Sequence, residues 1–204
     1  MPKVLNKRGT RANLNTLATA NGISAGEVYL ITNENKIAIG LSSSTYEAFA
    51  KESSNTFTSI QTFSGTSTAL AAIFTNAAET TTVSATAAIG TIAYYTSSQS
   101  VLYYTSNASA NWTINITHSA GTTLNTAMAT GQTITVTHMV TNGATAFYNN
   151  VVQVDGTTSG VTTKWQGGTA PTSGDASAVD VYTYAIIKTA ASTFTVLASV
   201  VKFA

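Results

Sequence analysis

The sequence predicts a mainly β protein: an antiparallel β-sandwich or jelly-roll-like domain, preceded by a small N-terminal module with short helices and a hairpin. After Asn55 the chain is rich in Thr, Val, Ile, Tyr and Phe, and apolar and polar residues alternate in short runs, as in strands that bury one face. Clusters of Gly, Asn and Ser separate these runs, and both prolines lie outside them. Hydrophobic residues make up 44% of the 204 residues, so the chain can bury a core.

Charge is scarce and unevenly distributed along the chain. Only 8% of the residues are charged, against about a quarter in typical soluble domains. Ten of the 17 charged residues fall within the first 52 positions, and none lies between Glu79 and Asp155. This shift predicts an N-terminal module over residues 1–52 and a β domain over residues 53–204, with the junction at Lys51–Asn55.

Composition excludes several classes of protein. The chain contains no cysteine, which rules out disulfides, thiolate catalysis and cysteine-ligated zinc. No stretch of about 18 apolar residues is present, so we expect no membrane insertion. A net charge of +1 argues against a nucleic acid partner held by bulk electrostatics.

The first element of the N-terminal module is a short helix. Thr10 is a suitable N-cap, and Leu14, Leu17 and Ala18 share one face of the helix that would follow. Asn21-Gly22 is expected to end this helix, because both residue types tolerate the left-handed backbone of a helix C-terminus.

A hairpin and a second helical turn follow in the predicted module. Val28–Thr32 and Lys36–Leu41 are strand-like runs on either side of three polar residues, which is typical of a hairpin. Ser43 or Ser44 can cap a last helical turn over Tyr46–Lys51.

The β domain is predicted to contain many short strands with one helical turn, over Leu124–Ala129. Asp155-Gly156 indicates a hairpin turn, and no long helix interrupts the pattern, which favours a sandwich or jelly roll. The clearest alternating runs are Phe57–Phe63, Ile89–Tyr95, Trp112–Thr117, Thr133–Val140 and Phe194–Val200.

Few residues offer catalytic chemistry, so we expect no enzyme and no cofactor. Asp155 and Asp180 are the one pair that might have suggested a glycosidase, but turn and strand-end positions account for them better. His118 and His138 have no neighbouring acid or cysteine in sequence, so we expect polar or half-buried strand positions rather than a metal site.

Aromatic residues recur along the β domain and raise the possibility of a sugar-stacking surface. Packing across strands or at a subunit interface is the commoner use of strand aromatics. Tyr148 and Trp165 are the candidate contacts for a host receptor glycan. The aromatic positions are Tyr94, Tyr95, Tyr103, Tyr104, Phe147, Tyr148, Trp165, Tyr182 and Tyr184.

The N-terminal segment carries four cations and no acid: Lys3, Lys7, Arg8 and Arg11. Such a segment can contact nucleic acid, remain a solvated tail or dock onto an acidic protein surface. We favour docking onto a protein.

Six stretches of the chain carry a family resemblance. In the N-terminal module these stretches are Lys7–Ala12, Ala25–Thr32, Ile37–Leu41 and Ser44–Lys51. In the β domain they are Thr141–Asn150 and Lys164–Gly174. They resemble virion proteins of tailed bacteriophages, especially tail-fibre-like proteins of marine and cyanobacterial phages.

The resemblance implies a structural protein on the surface of the phage particle, a homotrimer whose first module fixes it to other virion proteins of the tail or capsid. It implies no catalytic residues. A chain of 204 residues has no room for a long fibre shaft, so a capsid decoration or cement protein is the first alternative and a host-glycan-binding module is the second.

Overall fold

The structure is a computed structural model that describes residues 7–34, 36–48 and 77–204. The chain divides into two compact units, one ending at Ile73 and the other beginning at Phe74. The predicted junction at Lys51–Asn55 and the predicted strand Phe57–Phe63 lie outside the described residues.

The described residues of unit 1 form one helix and a four-stranded sheet, in which neighbouring strands follow one another in the chain. Strand β1 pairs in parallel with β2, while β2 with β3 and β3 with β4 are antiparallel. The helix therefore connects two parallel neighbours. The elements are β1 (Lys7–Gly9), α1 (Arg11–Thr19), β2 (Val28–Ile31), β3 (Lys36–Gly40) and β4 (Tyr46–Ala48).

The predicted helix and hairpin of unit 1 are confirmed. The Thr10 hydroxyl accepts a hydrogen bond from the backbone N–H of Asn13 at 3.3 Å, as an N-cap does. Leu14 and Ala18 are buried on one side of α1, and Asn21 has the left-handed backbone (φ 54°) expected after the helix end. The pairing of β2 with β3 forms the predicted hairpin.

The helical turn predicted to begin at Tyr46 is wrong. Tyr46–Ala48 is strand β4, with Tyr46 opposite Gly40 and Ala48 opposite Ala38. Pairing with β3 satisfies the backbone of this segment, so tertiary structure overrides the local helix propensity. The rest of the predicted turn lies outside the described residues.

Unit 2 is also mainly β, and it holds two sheets. One is three-stranded, in the order β10-β8-β6, and the other is six-stranded, in the order β11-β13-β12-β9-β7-β5. Its elements are β5 (Thr81–Ala87), β6 (Gly90–Tyr95), β7 (Val101–Ser106), β8 (Trp112–Thr117), α2 (Leu124–Ala127), β9 (Thr133–Thr141), β10 (Asn149–Val154), β11 (Val161–Trp165), a 3-10 turn (Gln166–Gly168), β12 (Val179–Ala190) and β13 (Thr193–Phe203).

The strand pairing in unit 2 differs from the antiparallel arrangement that the sequence predicted. Strand β12 is antiparallel to β9 and β13, but the three-stranded sheet and the other pairs of the six-stranded sheet are parallel. The predicted turn at Asp155-Gly156 is present, with positive φ at both residues. It does not form a hairpin between long strands, because β10 and β11 belong to different sheets.

Side chains from both sheets of unit 2 and from α2 form one hydrophobic core. Its centre is aromatic: Trp112 of β8 meets Tyr182 of β12 edge to face, and Tyr182 stacks on Tyr184. All three side chains are buried. These aromatic side chains therefore pack in the core, with Trp112 from one sheet against Tyr182 from the other.

Candidate functional site

Two of the four predicted docking cations are bound within unit 1. Lys7 Nζ lies 3.1 Å from a carboxylate oxygen of Glu27. Arg11 donates from Nε and Nη2 to the two carboxylate oxygens of Glu34, at 2.9 and 2.7 Å, and from Nη1 to the Tyr46 hydroxyl at 2.9 Å. The Arg11 guanidinium is the main cause that lowers the pKa of Glu34 to about 2. Both cations thus have an ion-pair partner within unit 1.

The other two predicted docking cations are Lys3 and Arg8. Lys3 lies outside the described residues. Arg8 is exposed on β1, and the described residues provide no ion pair for it. Its Cα partner is Leu30 on the neighbouring strand. Arg8 is therefore the docking cation without an ion pair among the described residues, and the surface beside it is a candidate site.

The face of the unit 1 sheet that points away from the core carries aliphatic side chains. Tyr29, Ile31 and Ala38 are buried in the core with α1, so the alternate residues of β2 and β3 point to the other side. Leu30 and Ile37 lie directly opposite each other there and are 42% and 51% exposed. We call this surface the open face; it consists of Arg8, Val28, Leu30, Ile37, Ile39 and Glu47.

Charged residues lie at two opposite corners of the open face. One row across the sheet runs from Arg8 on β1 through Leu30 to Ile37. The next row runs from Val28 through Ile39 to Glu47 on β4. Four aliphatic side chains between one cation and one anion can bury area and fix orientation. The sequence does contain a sign of this face: Val28–Ile31 is apolar at every position, where a strand with one solvated face would alternate.

The predicted receptor contacts do not form one aromatic surface. Trp165 is half-buried, and its ring meets those of Tyr182 and Tyr184 at 6.4 and 6.3 Å. Tyr148 is also half-buried, and no ring contact among the described residues joins it to Trp165. Trp165 thus packs against the core of unit 2.

The structure separates the two carboxylates considered for catalysis. Asp180 is the second residue of β12, whereas Asp155 accepts hydrogen bonds from the N–H groups of Leu124 and Asn125 at the start of α2. The Asn125 carbonyl also accepts from Lys188, eight residues further along β12. Asp155 therefore lies near the Lys188 end of β12. Eight strand residues, about 26 Å, separate Lys188 from Asp180, so the two carboxylates do not converge.

Asp180 is buried and is hydrogen-bonded by its surroundings. Its Oδ2 accepts from the Asn142 side-chain amide at 3.1 Å and from the Asp175 N–H at 3.2 Å. Burial raises the pKa of this carboxyl. These contacts tie the loop before β12 to the end of β9.

The two histidines of unit 2 differ in position and in burial. His118 follows β8, and its Nδ1 lies 3.2 Å from the Thr96 hydroxyl. His138 is fully buried, not half-buried as predicted, and stands edge to face with Tyr104 and Trp112. Burial lowers its pKa to about 3, so the imidazole is neutral at pH 7. Among residues 7–34, 36–48 and 77–204, no group of three His, Asp or Glu side chains is placed to hold a metal.

A groove of about 500 Å³ lies beside His118 in unit 2. Hydroxyl and amide groups from Thr96, Gln99, Ser100 and Gln132 line it, together with apolar residues of α2 and β9. Its lining contains no carboxylate and no aromatic ring other than the imidazole. The groove can offer hydrogen bonds to a neutral polar ligand but no carboxylate for acid–base chemistry.

Comparison of the chain with protein-family models, curated proteins and solved structures gives no match. Within the described part of the chain, neither helix has the length and apolar character needed to cross a membrane.

Proposed function

We propose that this chain is a non-enzymatic structural protein of a tailed bacteriophage particle, attached to a neighbouring virion protein through unit 1. The observation that carries the proposal is the open face, an exposed aliphatic surface on a module whose cations Lys7 and Arg11 are already paired. The resemblance of the sequence to phage virion proteins indicates which kind of assembly holds the partner.

The open face has the composition of a docking surface. Burying a fully exposed Leu or Ile side chain contributes about 1.5–3 kcal/mol. Leu30 and Ile37 have about half of their surface exposed, so together they offer about 1.5–3 kcal/mol to a partner that covers them. Arg8 and Glu47 then select a partner with an acidic group near one corner and a basic group near the other. A protein surface with that pattern is the proposed occupant.

Unit 2 is proposed to be a β-sandwich of two unequal sheets that faces outward from the particle. The shared core of its two sheets supports this arrangement. A homotrimeric, tail-fibre-like protein is the form that the sequence resemblance favours, and a capsid decoration or cement protein is the alternative. In either form the protein belongs to the virion surface.

Labelling of intact particles tests the proposal. An antibody against unit 2, followed by gold labelling and electron microscopy, is expected to decorate each particle. Label at the tail supports the fibre-like form, and label over the shell supports the decoration form. Purified particles that contain none of this chain would contradict the proposal.

The neutral groove beside His118 favours a second candidate function, binding of a host glycan. Sugars are neutral and rich in hydroxyl groups, which suits the amides and hydroxyls that line the groove. Glycan-array binding that is lost in Ser100→Ala and His118→Ala would support this function. Binding unchanged by both substitutions would exclude this groove.

A further inference from the structure

The six-stranded sheet of unit 2 has a second face, opposite the core. Tyr182, Tyr184 and Ile186 of β12 are buried, so the odd-numbered side chains of β12 point away from the core. The odd-numbered side chains of β7, β9 and β13 lie on the same side, together with Thr81 and Val83 of β5 and the even-numbered side chains of β11. We call this surface the outer face.

One apolar row crosses the outer face over five neighbouring strands. The pairing register places Val83, Tyr103, Met139, Val181 and Val201 side by side, from β5 to β13. Val83 and Val201, at the two ends of the row, are 63% and 52% exposed. Isolated exposed aliphatic residues are common, but a continuous row across a sheet is typical of an interaction surface.

The next row across the outer face is uncharged and carries hydroxyl groups at four of its five positions. The register aligns Ser199, Thr183, Thr137, Val101 and Thr81. A hydroxyl group both donates and accepts hydrogen bonds, so the Ser and Thr residues of this row can pair with another copy of themselves.

Lys164 of β11 is the one charged residue on the outer face of the described strands. Solvated sheet faces usually carry mixed charges, and a face that lacks them is poorly protected from association. With so little charge, two copies of this face can approach each other without electrostatic repulsion.

The area of the outer face is that of a stable interface. Strands β9, β12 and β13 pair over nine residues and cover about 14 by 31 Å. Strands β5 and β7, over about four residues, and β11, over five, bring the outer face to about 650 Å². Two such faces in contact bury about 1,300 Å², within the range of about 1,200–2,000 Å² for specific protein interfaces.

We infer that the outer face is covered by the outer face of a second copy of this chain. The inference rests on the proposed homo-oligomeric function. A face that pairs with itself joins two copies, so this contact is a dimer contact and is separate from any surface that would build the homotrimer favoured by the resemblance. Neutrality, rows of self-complementary hydroxyls and sufficient area favour a copy over a partner of opposite charge.

Mass measurement of the full chain by analytical ultracentrifugation tests this inference. Wild-type protein at about 10 µM is expected to sediment as an oligomer, and Val181→Lys, in the interior of the apolar row, is expected to sediment as a single 21.1 kDa chain. The matched control Ala120→Lys adds the same charge at an exposed loop position of unit 2 and is expected to remain oligomeric.

A second variant keeps the test decisive if Val181→Lys does not fold. Val201→Lys changes an exposed side chain of the same row and is expected to dissociate the oligomer while keeping the wild-type circular dichroism spectrum. A monomeric wild-type protein would overturn the inference, and so would an oligomer that survives Val201→Lys. Neither result depends on whether the chain is found in particles, so failure of this inference is distinct from failure of the proposed function.

Discussion

The side chains of Arg11 and Glu34 form a two-point ion pair, with Nε 2.9 Å from Oε1 and Nη2 2.7 Å from Oε2. The pair joins the first turn of α1 to the turn between β2 and β3. Lys36 Nζ also lies 3.5 Å from Glu34. Arg11, one of the four cations of the N-terminal segment, therefore connects α1 to the β2–β3 turn.

Glu34→Gln is expected to loosen the β2–β3 hairpin at neutral pH, because it replaces a charged two-point contact with a weaker one. In the wild type, the pKa of Glu34 is about 2 in the folded chain and about 4.3 in an unfolded one. The stabilisation is present above about pH 4.3 and is lost as the pH falls toward 2. Hydrogen exchange of the β2 and β3 amides measures both effects.

Glu47→Gln is the matched control for Glu34→Gln. Glu47 is an exposed acid on β4 of the same sheet and has no ion pair among the described residues. Its substitution is expected to leave amide exchange unchanged. Equal exchange rates in the wild type and Glu34→Gln would show that the Arg11–Glu34 pair does not stabilise the hairpin.

His138→Phe is expected to reduce the acid sensitivity of unit 2. The pKa of His138 is about 3 when folded and about 6.5 when unfolded, so the unfolded chain takes up a proton first and stability falls as the pH drops below 6.5. Between pH 7 and 4 this group alone accounts for about 3 kcal/mol. A phenylalanine keeps the ring contacts with Tyr104 and Trp112 and removes the titration.

Urea unfolding followed by tryptophan fluorescence, at pH 7 and pH 4, measures this difference. His118→Gln is the control, since His118 is half-exposed and bonded to a hydroxyl. The same loss of stability on acidification in His138→Phe and the wild type would rule out burial of a neutral His138.

Gly160→Ala is expected to destabilise unit 2 more than Gly156→Ala. Both glycines have positive φ, 73° and 80°, so each substitution carries the backbone cost of about 1–2 kcal/mol. A Cβ at Gly160 would also lie 2.3 Å from the Ser192 carbonyl oxygen, whereas a Cβ at Gly156 has no heavy atom within 4 Å. Chemical denaturation gives both free energies of unfolding; equal values would contradict the close approach at Gly160.

Local chemistry made part of the fold predictable. Thr10 caps α1 and the polar turn joins β2 to β3, because capping and turn geometry depend on residues close in sequence. Leu124–Ala127 is helical for the same reason. Tyr46–Ala48 became a strand because pairing with β3, a tertiary contact, outweighed a helix-like local sequence.

Relations between distant residues were not predictable from a single sequence. A half-buried strand has the same alternating pattern in parallel and antiparallel pairs. The sequence of β8 therefore does not indicate that both of its neighbours are parallel to it. The partner of Arg11 is 23 residues away, and nothing in a basic segment indicates an acid at that distance. The open face required the register that sets Leu30 beside Ile37.

Incorporation of variants into phage particles tests the central claim, that unit 1 docks through the open face. Ile37→Lys places a charge at the centre of that face, and Ala12→Lys places the same charge on the exposed side of α1. We expect particles to incorporate Ala12→Lys at the wild-type level and Ile37→Lys at less than a tenth of it, as quantified by mass spectrometry of purified particles. Incorporation of Ile37→Lys at the wild-type level would contradict the account.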